Sequence, residues 1–225
     1  MKQAIIKIIK ESKKHGWVME PQAKQILRLY GLATTRFHWV KHLRDLMKEA
    51  HAIGYPIVMK VVSKQIIHKT ESGGVSVGIM DDKRLTSDFN KMTKLPGFEG
   101  VIIEELAEGL ELIVGSKRDD QFGTVILVGL GGTSVEVYKD VAIRLAPINK
   151  DDALSAVLSL KAAPLLQGHR GAKPVQLDTL SNLIVKFSKL SYELSDTMSS
   201  IDCNPVICNS QGAVIADARF IFKEQ

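Results

Sequence analysis

The sequence predicts an α+β protein of two lobes with a cleft between them. Three observations predict it. Apolar residues recur at helical spacing through residues 1–50, short β-branched runs cut by glycine follow, and after Ala142 strand and helix signals start again. With 225 residues the chain can bury one large core or two small ones, and 45% hydrophobic with 24% charged residues is the balance of an ordinary globular protein.

Ile5, Ile6 and Ile9 mark the apolar face of a first helix. Ala23, Ile26, Leu27 and Tyr30 mark a second, which Gly31 closes as a C-cap. A third helix covers residues 41–52 and stops at Gly54. Pro56 then opens Ile57-Val58-Met59-Lys60-Val61-Val62, with the length and β-branching of a buried strand. Strand signals recur at residues 75–79, 101–106, 111–116 and 124–128, the pattern of an antiparallel sheet with helices on one side. In the second unit residues 142–145 read as a strand, 151–160 as a helix opened by acidic residues, and 177–194 as a long helix. Strands at 200–203 and 214–216 complete it, so the lobes divide at residues 20–105 and 106–225.

Several classes are excluded. The formal net charge of +5 is spread along the chain with no basic block interleaved with aromatics, so nucleic acid is not an expected partner. No stretch approaches the ~20 apolar residues of a membrane span. Residues 1–16 alternate isoleucine with lysine and lack the apolar core and cleavage site of an export signal, so a cytoplasmic protein is expected. Cys203 and Cys208 are expected to be reduced core residues, since two cysteines make neither a metal site nor a disulfide framework.

The residues with chemistry in them fall in a few places. Residues 63–74 join two strands and bring His68, Lys69 and the pair Gly73-Gly74 into one polar stretch. Glycines there let backbone N–H groups approach phosphate oxygens, although the Walker pattern is absent. His68 is read either as a functional histidine or as a polar loop residue. Lys60 sits at the end of an apolar strand, where a solvated cation is not expected, so it needs an anionic partner; a phosphate and a carboxylate are both open. Glu104 and Glu105 end a strand, where a Glu can accept from an adenine amino group or be merely solvated. Gly129-Leu130-Gly131-Gly132-Thr133 lacks the full dinucleotide-binding order and suits a phosphate-covering or partner-facing turn better. Asp202, Asn204 and Asp217 stand near a hairpin turn at residues 209–212, where their oxygens serve either as caps or as ligands of Mg²⁺.

Taken in order, these segments resemble the β subunit of the ADP-forming acyl-CoA synthetases, over roughly residues 19–218. The resemblance is carried by Gly54-Tyr55-Pro56-Ile57-Val58-Met59-Lys60, Ile67-His68-Lys69 with Gly73-Gly74-Val75, and Arg118-Asp119-x-x-Phe122-Gly123. Gly129-Leu130-Gly131-Gly132, Gly168-His169-Arg170-Gly171 and the ending from Asn204-Pro205 to Asp217-Ala218-Arg219 complete it. It implies an ATP-grasp fold over the whole chain, with nucleotide held in the cleft between the two lobes. It also implies a CoA-binding α subunit as partner, whose own histidine is phosphorylated first. The histidine matching His68 then takes the phosphoryl group and delivers it to ADP. By position Lys60 resembles the phosphate-binding lysine, Glu104 the adenine contact, Leu106 the hinge backbone and Glu111 a ribose contact. Gly73 and Gly74 would line the phosphates, and Asn204 and Asp217, with Asp202 beside them, match the magnesium ligands. Ser200 stands where an acidic residue is common, Thr70-Glu71 replaces Ser-Asp, and the hinge reads Glu-Glu-Leu; none of these removes His68, Asn204 or Asp217. Two other readings are an ATP-grasp carboxylate–amine ligase, which has no need of His68, and a non-catalytic nucleotide-sensing module.

Overall fold

In the computed structural model, which describes residues 2–131, 140–169 and 171–223, the N-terminal apolar stripes form α1 (Gln3–Ser12) and α2 (Glu20–Tyr30). Ile5, Ile8 and Ile9 of α1 and Ala23, Ile26 and Leu27 of α2 are buried. Gly31 ends α2 as expected: at φ 86° it is left-handed, and its N–H donates to the carbonyls of Arg28 and Leu27. Between the helices lies a short strand, β1 (Trp17–Val18), which the helical reading of residues 1–50 did not contain.

A compact unit then spans Thr35–Ala107. It holds β2 (Phe37–Val40), α3 (Leu43–Ile53), β3 (Ile57–Ser63), β4 (Val75–Ile79), α4 (Asp82–Met92) and β5 (Phe98–Glu105). Its antiparallel sheet runs β2-β5-β3-β4. Leu46, Ala50 and Ile53 of α3 and Leu85, Phe89 and Met92 of α4 pack with Ile57, Met59, Val61, Val101 and Ile103. Side chains alternate across a strand, so Lys60 on β3 and Glu104 on β5 stand on the face away from these helices.

The other unit joins Met1–Thr34 to Glu108–Gln225. It adds β6 (Leu110–Asp119), β7 (Gly123–Leu130), β8 (Val141–Leu145), α5 (Lys150–Leu158), α6 (Ala163–Leu166), α7 (Leu177–Glu193), β9 (Met198–Asn209), β10 (Gly212–Ile215) and β11 (Ala218–Phe222). Among the described residues its sheet runs β1-β11-β9-β6-β7-β8, with β10 also paired to β9. Asn149 opens α5 with a reciprocal cap to Asp152, as the acidic start of that helix led one to expect. Leu180, Ile184, Phe187 and Leu190 of α7 lie in one core with Leu112, Val114, Ile126, Val128 and Ile201 of the sheet.

The lobe boundaries expected at residues 20–105 and 106–225 therefore fall elsewhere. β1 pairs antiparallel with β11, and α2 packs on β11, so the N-terminal helices complete the core of the C-terminal unit. Among the described residues no helix is long and apolar enough to cross a membrane.

Candidate functional site

The smaller unit holds the first group of candidate residues. Its register pairs Lys60 with Ile102 and Val58 with Glu104, which makes Lys60 and Glu104 diagonal neighbours on one face, a separation long side chains can span. Lys60 Nζ lies 2.6 Å from Glu104 Oε1. Thr35 Oγ1 donates to Glu104 Oε2 at 2.5 Å. Lys60 is 6% exposed and Glu104 1%, so this is a buried ion pair on the strands that carry it. Of the two partners open to Lys60, the carboxylate is in place. Glu104 thus accepts at one oxygen from Lys60 and at the other from Thr35.

Glu105 is bound differently. Its Oε2 lies 2.6 Å from Arg36 Nε and its Oε1 accepts from the Arg36 N–H at 2.8 Å. Its own N–H donates to the Arg36 carbonyl at 3.1 Å. The end of β5 is thereby pinned to the residue before β2, and Leu106 follows it as a half-buried residue in irregular chain.

His68 is exposed on the loop between β3 and β4. Its carbonyl accepts from Ser72 Oγ at 3.1 Å. Gly73, at φ 68°, donates its N–H to the Thr70 carbonyl, and Gly74 donates to that of Lys69 at 2.7 Å. A Cβ on Gly74 would come 2.4 Å from Val61 Cγ1. The amides expected to face phosphate are thus committed to closing the turn beside His68. The glycines are required by a left-handed turn at one position and by strand contact at the next.

The larger unit holds the oxygen ligands. β9 pairs Cys203 with Ala218 of β11 and Val206 with Ile215 of β10. That leaves Asn204-Pro205 facing Ala216-Asp217, tied by the Ala216 N–H to the Pro205 carbonyl at 3.0 Å. Asn204 is exposed and Asp217 half-buried. Asp202 lies 3.3 Å from Arg219 Nη2, and Gly115 of β6 makes room for it, since a Cβ there would stand 3.1 Å from Asp202 Oδ1. Cys203 and Cys208 are free and buried, as expected. Burial, then the Asp202 and Asp217 carboxylates, push the Cys203 thiol well up, so this thiol is a core group placed beside two anions. Among the described residues no three His, Cys, Asp or Glu side chains are grouped to hold a metal by themselves. An amide and a carboxylate at one strand junction nevertheless fit a hard cation that takes its remaining ligands from water and phosphate.

Other predicted positions have local structural reasons. Glu111 is exposed at the start of β6, and its carbonyl accepts from the Gly131 N–H at 2.7 Å. Asp119 Oδ1 accepts from the N–H groups of Gln121 and Phe122, both at 2.9 Å, so Arg118-Asp119-x-x-Phe122-Gly123 is the β6–β7 turn. His169 is exposed between Gly168 and Gly171, at φ 91° and 85°. Gly132, Thr133 and Arg170 of the predicted motifs lie outside the described residues. Thr35 and Gly115 were not singled out from the sequence. Nothing local marks either, because each matters through a residue on a neighbouring strand.

The model of a family described as the ATP-grasp domain matches residues 10–222. The chain is 42% identical over 212 residues to the β subunit of an ADP-forming acetate–CoA ligase of Pyrococcus furiosus, covering 91% of each. It is 37% identical to the β subunit of the second such ligase of that organism, covering 99% of this chain and 100% of the relative. Among solved structures it is similar, at TM-score 0.86 and 30% identity over 97% of its length and 100% of that chain, to an acetyl-coenzyme A synthetase of Candidatus Korarchaeum cryptofilum. That structure contains coenzyme A and Mg-AMPPCP, with a phosphohistidine segment pointing towards the nucleotide-binding site.

Proposed function

The chain belongs to the ATP-grasp family, among the β subunits of ADP-forming acyl-CoA ligases, and from that premise we propose that it passes phosphate between His68 and ADP. The overall reaction is acyl-CoA + ADP + phosphate to acid + CoA + ATP, completed with a CoA-binding α subunit. The observation that carries this reading is His68 itself, exposed on a turn closed by Gly73 and Gly74 and joined directly to the strand that bears Lys60.

Phosphoryl transfer asks a protein for charge neutralisation and in-line placement more than for covalent help. Lys60 supplies a fixed cation for the phosphates. The Leu106 backbone serves the adenine edge and Glu111 the ribose. Asn204 and Asp217 hold Mg²⁺, with Asp202 restrained beside them by Arg219. When bound, the ion neutralises phosphate charge. At His68 the imidazole nitrogen–phosphorus bond breaks as the bond to the terminal oxygen of ADP forms. The ring leaves neutral when its other nitrogen carries a proton.

The test is the complex reconstituted with its α subunit and given radiolabelled ATP. Acid-labile, base-stable label should appear on this chain and be lost in His68→Ala, while Mg·ADP binding persists. His169→Ala is the control, because His169 also sits in an exposed glycine turn. Label lost only in His169→Ala, or full turnover in His68→Ala, would overturn the assignment.

A further inference from the structure

The roles assigned so far leave Thr35 without a part, although it is 1% exposed and bonded to the most buried carboxylate of the smaller unit's candidate residues. We propose that Thr35 is a positioning residue for nucleotide phosphate: it fixes one oxygen of Glu104 so that the other holds the Lys60 ammonium where phosphate is received. This rests on the reading of Lys60 as the phosphate lysine.

The geometry supports each link. A hydroxyl donating to a carboxylate at 2.5 Å is a charge-assisted bond, stronger than a neutral one. It acts on a terminal torsion that is otherwise broad and roughly two-fold, so it selects one orientation of the Glu104 carboxylate. That orientation puts Oε1 2.6 Å from Lys60 Nζ. Lysine has a long flexible stem, and an ammonium held at one end loses much of its freedom before a ligand arrives. With three donors, the ammonium can keep a carboxylate on one side and take a phosphate oxygen on another.

Thr35 is itself fixed by its surroundings. Its neighbour Arg36 is joined to Glu105 by a side-chain ion pair and by hydrogen bonds from both backbones. The β-branched Thr35 has few rotamers open to it. The chain from Thr35 to Lys60 therefore runs through Glu104 without any contribution from the ligand, which is the arrangement of a preorganised site. On this view purine selectivity belongs to other groups, and Glu104 acts only through Lys60.

A purely structural tie between the segment before β2 and the end of β5 would make the same bond, so the experiment must separate the two. Calorimetric titration of Mg·ADP and Mg·IDP into the purified chain is carried out for wild type, Thr35→Val, Thr35→Ser, Lys60→Met and the double variant Thr35→Val/Lys60→Met. Melting curves on each sample verify that it is folded, and Thr35→Ala is the second hydroxyl-free variant. Thr35→Val should weaken ADP and IDP alike, by about tenfold, as expected when a buried acceptor loses its donor. Thr35→Ser, which keeps the hydroxyl, should restore affinity. In the Lys60→Met background Thr35→Val should have no further effect. An equal loss in both backgrounds, or no loss in Thr35→Val and Thr35→Ala while Lys60→Met weakens ADP, overturns the role of Thr35 and leaves Lys60 in place. A changed ADP-to-IDP ratio in Thr35→Val also overturns it, by returning Glu104 to the adenine. Unchanged ADP affinity in Lys60→Met removes the phosphate role of Lys60, and the proposal with it.

Discussion

Magnesium takes oxygen donors in near-octahedral geometry and keeps several waters, so a protein needs to offer it only one or two fixed side chains. On the proposed reading the junction where β9 passes from β11 to β10 offers them, because backbone pairing sets Asn204-Pro205 against Ala216-Asp217. Asp217→Asn keeps the shape of the side chain and removes its charge. It should weaken Mg·ADP binding by about tenfold or more while the melting temperature stays within a few degrees of wild type. Calorimetry with unchanged Mg·ADP affinity would remove Asp217 from the metal site. At this scale the sequence marked a polar side chain that needed a partner without naming the partner. Lys60 inside an apolar strand announced a buried cation that needed an anion, and Glu104 is that anion. The sequence could not show it, since the register that makes them diagonal neighbours joins strands separated by α4.

The β3–β4 loop shows how backbone contacts set the path of the chain that carries His68. Gly74 lies against Val61 so closely that a Cβ would stand 2.4 Å from its Cγ1, and its carbonyl accepts from the Val61 N–H at 2.8 Å. Gly74→Ala must push the loop away from β3. Overpacking of this kind typically costs about 1–3 kcal/mol, so denaturant melts should show a loss in that range, with phosphoryl transfer through His68 falling further than stability alone explains. Wild-type stability in Gly74→Ala would mean that the loop yields freely and does not set the position of His68. Elements with a strong period were legible: α2 with its Gly31 cap, the acidic start of α5, and α7. α4 was not, although Leu85, Phe89 and Met92 repeat at helical spacing behind the cap residue Asp81. Its mostly polar residues stood between two stronger strand signals. β2 was missed because four residues are too few to break a helical pattern read over residues 1–50.

The division of the whole molecule was the least legible feature, because it depends on the first and last strands meeting. Pairing of Trp17-Val18 with Phe220-Ile221 places α1 and α2 in the core built by the C-terminal strands and α7. No local pattern specifies such a contact; it follows from the need to cover one face of the sheet. The result bears on what the chain can do alone. The smaller unit carries His68 with the Lys60–Glu104 pair, and the larger carries the Asn204–Asp217 junction. On the proposed reading these residues serve nucleotide and phosphate, which leaves binding of CoA and formation of the acyl phosphate to the α subunit. The purified chain should therefore bind Mg·ADP, with heat detectable by calorimetry, and should release no acyl-CoA from acid, CoA and ATP at any concentration of the three. Adding the α subunit should start turnover, and a His68→Ala chain added in its place should not. Acyl-CoA formed by the single chain would show that a CoA site and the acid-activating chemistry reside within these residues, and the division of labour between two subunits would then be wrong.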